Sequence, residues 1–312
     1  MTEHGPKWLG IGAQRCGTTW FTDLLTQHPL VDVPDGVKEH NELFRFGLMR
    51  PWDDEARQEY VSKFSHPDLH LGEFSPSYMR SVWVCEQTLE ALPPDAPIVV
   101  LVRDPLDRFA SALRHMAVHA IQRHQRRLEK TGRKKESPAY EEEGDPPLQP
   151  LPGKSRRQLS VAKERANFLD RVSAAAARRY VIGRPDGKTL QDRTWLRYTG
   201  GDATWGGMYG AQMGAWTRAI PKERFVVIQY EKMKRDPQHY LDQVWKRMGL
   251  DPVPLKNIGQ KSNSSTRTQL WALEDHPHLV RSLQATYRAD AELLAREWDV
   301  DLSLWKRLMD EG

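Results

Sequence analysis

The chain has 312 residues, 39% hydrophobic and 28% charged, with a formal net charge of +4. No apolar run approaches the roughly 20 residues of a spanning helix, which argues against a membrane protein and for a soluble globular one. The opening MTEHGPKWLGIGAQ lacks the basic and long apolar segments of a secretory signal, and two cysteines, Cys16 and Cys85, are too few for a disulfide framework; both features lead to the expectation of a cytoplasmic protein. The basic balance favours an anionic ligand.

In chain order, KWLGIG (7–12) reads as a short buried strand ending at a glycine turn. GAQRCGTT (12–19) follows and leads into TTWFTDLLTQH (18–28), whose Trp20, Phe21, Leu24 and Leu25 share one helical face. Strand, glycine loop and helix is the context of a phosphate loop, where backbone N–H groups and the positive helix end meet an anion. Gly12 and Gly17 permit close approach, Thr18 and Thr19 add hydroxyls, and Arg15 adds a planar fork for two oxygens. A triphosphate-binding loop has lysine where Thr18 stands. The plain alternative is a tight turn without a ligand.

PIVVLV (97–102) is a second strand, its unbroken apolar run typical of a parallel sheet covered on both faces. It enters RDPLDRFASALRHM, where Pro105 suits a first helical turn and Phe109, Leu113 and Met116 form an apolar stripe. Asp104 is the nearest approach to a magnesium-binding carboxylate at a strand end, but Arg103 and Pro105 flank it, and an arginine there suggests a second anion site. From about 119 to 157 the chain is rich in Arg, Lys, Glu and Pro, and SVAKERANFLDRVSAAAARRYV (160–181) resumes helical periodicity. We read 119–200 as a cap or substrate-side insertion within a single domain spanning 1–312. RFVVIQY (224–230) is a third strand, and DPQHYLDQVWKRMGL (236–250) an amphipathic helix ending at Gly249. The alternation predicts an α/β fold: a P-loop-like three-layer α/β/α arrangement with a mainly parallel central sheet and a helical insertion.

With both anion motifs in view, the sequence resembles the PAPS-dependent sulfotransferases, whose donor is 3′-phosphoadenosine 5′-phosphosulfate. That family uses (Lys/Arg)-x-Gly-Thr-Thr for the 5′-phosphosulfate, here Arg15-Cys16-Gly17-Thr18-Thr19, and Arg-Asp-Pro-x-x-Arg-x-x-Ser for the 3′-phosphate, here Arg103 to Ser111. VKEHNELFRF (37–46), DEARQEYVSKF (54–64), GEFSPSYM (72–79) and MYGAQMGAWTRAIPKERFVVIQYEKMKRDP resemble stretches of its glycan and bacterial branch. The resemblance covers most of 7–118 and 205–310 and leaves the insertion out.

The resemblance implies a sulfotransferase that moves a sulfuryl group from PAPS to an acceptor hydroxyl on a glycan or small molecule, releases adenosine 3′,5′-bisphosphate and needs no metal. It implies that Arg15, Cys16, Gly17, Thr18, Thr19 and Trp20, with Arg103, Ser111 and Lys261, bind the nucleotide. Arg15 takes charge stabilisation only, because arginine does not readily give up a proton as the more usual lysine can. Glu39 matches the family's glutamate base, a role suited to a buried carboxylate; His40 is a rival base, one position off the pattern. Lys38, His40 and Glu73 are assigned to the acceptor side, Phe74 replaces a lysine frequent in relatives, and Arg108 is expected to brace the loop. Trp20, Trp205 and Tyr209 are candidates for adenine stacking, with core packing the simpler reading of each, and Tyr78 is read equally well as core.

Two rivals stand beside this. A P-loop kinase-like phosphotransferase would need magnesium and ATP. A nucleic-acid binder would use RHQRRLEKTGRKK, but such a stretch is commonly a solvated helix face and EEEGD follows it, so no nucleic-acid or membrane partner is expected. The sequence does not fix the oligomeric state.

Overall fold

Each strand expected from an apolar run forms, and two more join them. β1 (Trp8–Gly12), β2 (Val31–Asp32), β3 (His70–Phe74), β4 (Ile98–Val102) and β5 (Phe225–Gln229) make one sheet in the order β2-β3-β1-β4-β5, every neighbouring pair parallel. β1 and β4 are buried along their whole length, which is why they read as continuous apolar runs. This computed structural model describes residues 5–46, 50–81, 83–112, 115, 201–259 and 277–310. The insertion expected at 119–200, including the helix expected over 160–181, and Lys261 lie outside the described residues.

The contact between β1 and β3 explains two glycines. Trp8 pairs in register with Gly72, and Gly10 with Phe74. A Cβ on Gly10 would lie 2.2 Å from the Phe74 ring, and one on Gly72 2.4 Å from the Trp8 ring. Each aromatic fills the space that the opposing glycine leaves, and any larger residue would push the strands apart.

Four tryptophans, Trp8, Trp216, Trp245 and Trp305, are fully buried. Each places its indole N–H on an oxygen: the carbonyls of His70, Met79 and Leu25, and the Glu231 carboxylate, at 3.0–3.2 Å. Burying such rings without these bonds would leave a desolvated donor in each. The last two link α1 (Thr18–Leu25) to the helix Pro237–Arg247, and the helix Tyr230–Arg235 to the C-terminal segment. The helix Tyr209–Ala219 is capped by Asp290, whose two oxygens accept the Gly210 and Ala211 amides at 2.8 and 2.7 Å.

The chain divides into two compact units. Met1–Arg108, Met208–Asn263 and Arg288–Gly312 make the first, which holds the whole sheet; Phe109–Gly207 and Ser264–Tyr287 make the second. Within the second, Tyr287 donates its hydroxyl to the Thr204 carbonyl at 3.1 Å. Trp205, also there, is 40% exposed, against the core reading of it. Among the described residues no helix is long and apolar enough to cross a membrane.

Strand order places the site. β1 lies between β3 and β4, so the chain crosses from one side of β1 to the other between those two strands. The crevice at the carboxyl ends of such strands is where open α/β sheets bind ligands. The loops leaving β1 and β4 are the two anion motifs, and Ala13, just past β1, donates its amide to the Leu101 carbonyl of β4 at 2.7 Å.

Candidate active site

The phosphate loop forms as its residues dictate. Gly17 caps α1 in the left-handed region, φ 87°, and a Cβ there would sit 2.6 Å from the Tyr230 ring, so both conformation and space call for glycine. Arg15 also takes a left-handed φ, 72°, unusual for a residue with a side chain and of the kind that clusters at functional sites. The first helical bond runs from the Phe21 amide to the Gly17 carbonyl at 3.0 Å. The amides of Thr18, Thr19 and Trp20 precede it and therefore have no partner within the helix, leaving an anion-seeking helix end.

Cys16 turns inward. Its amide donates to the Ala13 carbonyl at 3.2 Å, its Sγ lies 3.4 Å from the Tyr209 hydroxyl, and burial pushes the thiol up to about 11. Counted among the nucleotide-binding residues from its motif, it shapes the loop and presents neither polar group to a ligand in this arrangement. Trp20 is buried, edge-on to Tyr230 with 6.2 Å between centroids, and its indole N–H has no hydrogen-bond partner among the described residues.

The loop's missing lysine has a counterpart. Lys38 Nζ lies 3.2 Å from Thr18 Oγ1, 2.6 Å from Glu39 Oε1 and 5.5 Å from the centroid of the Phe74 ring. The Glu39 side chain is 46% exposed, so the base candidate is not the buried carboxylate expected. His40 turns its ring toward Phe64, 6.0 Å between centroids, and its buried Nε2 has no hydrogen-bond partner among the described residues.

Glu73 is fully buried and surrounded by donors. Oε1 accepts the hydroxyls of Tyr60 and Tyr78 at 2.7 and 3.0 Å, while Oε2 accepts the His40 amide at 3.1 Å and the Ser75 hydroxyl. Burial first, and then the Glu73 charge, holds both phenols well above their ordinary pKa, so they remain donors. Assigned to the acceptor side from its motif, Glu73 sits behind the site and anchors the Lys38–Asn41 loop to β3. Tyr78 is fully buried, as its core reading has it, and its hydroxyl oxygen also accepts the Leu43 amide at 3.1 Å.

At the end of β4, Arg103 lies over the Tyr230 ring at 5.2 Å and pairs with Asp107 at 3.3 Å. Its buried Nε has no hydrogen-bond partner among the described residues. Its carbonyl accepts the Tyr209 hydroxyl at 2.9 Å, so Tyr209, fully buried, ties this strand end to Cys16 of the loop. Arg108 donates Nε to the Gln14 carbonyl at 3.1 Å, bracing the loop as expected. Asp104 Oδ1 takes the amides of Leu106 and Asp107, and Oδ2 those of Arg307 and Leu308, at 2.9–3.4 Å. Its oxygens therefore serve as caps. Ser111 is buried on the helix over 105–112.

Arg15, Gly17, Thr18 and Lys38 thus gather at one end of α1, and the Arg103 strand end is fixed to the same loop by Tyr209, Tyr230 and Arg108. Tyr209, named as a stacking candidate with core packing the simpler reading, is fully buried and joins the two loops instead. Motif reading missed Tyr230, although a signal existed: an aromatic residue directly at the carboxyl end of a strand, on the level of the loops.

A parallel sheet with two such loops at adjacent strand ends defines a phosphate-loop α/β protein. The chain matches the family described as "Sulfotransferase domain" over residues 6–265, and it belongs to that family; its activity is sulfuryl transfer. A solved sulfotransferase from Alicyclobacillus acidocaldarius shares the fold, with a TM-score of 0.57 at 18% identity over 96% of this chain and 98% of that one. No curated protein matches the chain.

Proposed function

We propose that the protein takes its sulfuryl group from PAPS, passes it to a hydroxyl of a glycan or small-molecule acceptor, and releases adenosine 3′,5′-bisphosphate. The observation that carries this is the pair of arginines, Arg15 and Arg103, on loops that leave neighbouring strands and are tied together by Tyr209. A donor phosphorylated at both ends of an adenosine suits two such sites.

In this reading the acceptor oxygen forms a bond to sulfur as the bond from sulfur to the 5′-phosphate oxygen breaks, and the hydroxyl proton passes to the Glu39 carboxylate. Half exposed, the carboxylate is reachable by a substrate from outside. Charge spreading onto the sulfonate and leaving phosphate is stabilised by Arg15, by the amides at the start of α1 and by Lys38. Lys38 supplies the ammonium absent from position 18 and from Phe74, and its carboxylate neighbour keeps it in place. Arg103 holds the 3′-phosphate and Trp20 lines the nucleotide. Glu73 and Cys16 act as supports, and His40, turned toward Phe64, is the weaker candidate for the base.

The test is to follow adenosine 3′,5′-bisphosphate formed from PAPS with a panel of phenols, alcohols and oligosaccharides. At least one hydroxyl acceptor should stimulate release in proportion to sulfated product, and Glu39→Gln should lower that rate about 10²-fold or more, the usual weight of a general base. Phosphate transfer from ATP to the same acceptors, with no sulfated product from PAPS, would defeat the proposal.

A further inference from the structure

The Arg103 end of the site holds a second guanidinium, and it comes from a part of the chain outside the family match, which ends at residue 265. Arg307 Nε lies 2.9 Å from Asp107 Oδ1, while Arg103 Nη2 lies 3.3 Å from Asp107 Oδ2. One carboxylate therefore aligns two arginines that lie far apart in the sequence.

The segment carrying Arg307 is firmly docked. Its amide and that of Leu308 go to Asp104, and the Trp305 indole N–H goes to Glu231, whose other oxygen accepts the Asp104 amide at 3.0 Å. The fully buried Trp305 also packs on Tyr209, 5.9 Å between centroids, the same Tyr209 that holds the Arg103 carbonyl. Folding thus fixes Arg307 beside the strand end.

Charge explains why a second arginine is needed. Arg103 alone is neutralised by Asp107, and a neutral pair offers little to a phosphate dianion. Adding Arg307 makes the trio net positive and presents two planar forks, the arrangement best suited to phosphate oxygens. We infer that Arg307 is a further nucleotide-binding residue, which shares the 3′-phosphate with Arg103 and sets the preference for a 3′-phosphorylated donor. The inference rests on the proposed reading of Arg103 as the 3′-phosphate group.

Calorimetry with adenosine 3′,5′-bisphosphate and with adenosine 5′-phosphosulfate, which lacks the 3′-phosphate, separates the possibilities. Arg307→Gln, which keeps the backbone bonds to Asp104, should weaken the bisphosphate about tenfold, as expected for one charge-assisted contact, and leave the phosphosulfate unchanged. Equal losses for both ligands would mean that Arg307 merely supports the loop, and no loss for the bisphosphate would likewise overturn the inference. Should Arg307→Gln fail to fold, Arg307→Lys carries the same test, with a smaller but still selective loss, because an ammonium cannot reproduce the fork. A wild-type protein with no preference for the bisphosphate would reject the reading of Arg103 itself, and the inference with it.

Discussion

Lys38→Ala should lower kcat about 10²–10³-fold, the cost typical of removing one preorganised donor aimed at developing charge. The affinity for adenosine 3′,5′-bisphosphate should fall far less, because that product lacks the sulfonate on which the charge develops. The physical basis is a single geometry. The ammonium is held between Thr18 Oγ1 at 3.2 Å and Glu39 Oε1 at 2.6 Å, above the helix end where the loop's own lysine is missing. Single-turnover kinetics at saturating donor check this, and a rate equal to wild type would remove Lys38 from the mechanism. Because the Glu39 partner is half exposed, the lost ion pair itself should cost little stability, so an effect on rate would not be an effect on folding.

Glu73→Ala should act in the opposite sense, on folding first. The carboxylate accepts four donors, from Tyr60, Tyr78, Ser75 and the His40 amide, in a fully buried position. Each donor left without water or partner costs about 1–3 kcal/mol, so a loss on the order of 4 kcal/mol or more is expected, a large fraction of a typical domain's stability. Glu73→Gln, which keeps one carbonyl oxygen but brings an NH2 toward donors, should fall between. Urea unfolding of the three proteins measures this, and a loss under about 1 kcal/mol for Glu73→Ala would contradict the anchoring role. Where the variant stays folded its rate should also drop, because the His40 amide bond that sets the Lys38–Asn41 loop is gone.

The contrast between these residues shows what was legible. KWLGIG, PIVVLV and RFVVIQY could be read as strands because each carries an unbroken apolar core, Trp8–Gly12, Ile98–Val102 and Phe225–Ile228, and β1, β4 and β5 fall within those runs. β3 shows no unbroken apolar run, because HLGEF contains a buried glutamate and a glycine required by Trp8; only the resemblance, through Glu73, pointed to a strand end there. β2 has two residues and no pattern to show. The loop residues Arg15, Gly17 and Thr18 and the strand-end Arg103 were legible because an anion loop needs these residue types at fixed spacing. Burial was not: Glu39 and Glu73 both sit in charged or polar stretches, yet one is half exposed and the other wholly enclosed. Only the tertiary positions of Tyr60 and Tyr78 separate them. Lys38 and Arg307 gain their meaning from partners 20 and 200 residues away, which no local spacing encodes.

The central claim is that two arginine-bearing loops grip opposite ends of one adenosine nucleotide. It is tested most directly by titrating adenosine 3′,5′-bisphosphate, and separately ATP with magnesium, into the wild-type protein, Arg15→Ala and Arg103→Ala. The account predicts that the bisphosphate binds in preference to ATP and that each substitution weakens it at least tenfold, the cost of one charge-assisted contact. Preference for ATP with magnesium, or binding indifferent to both substitutions, would contradict it.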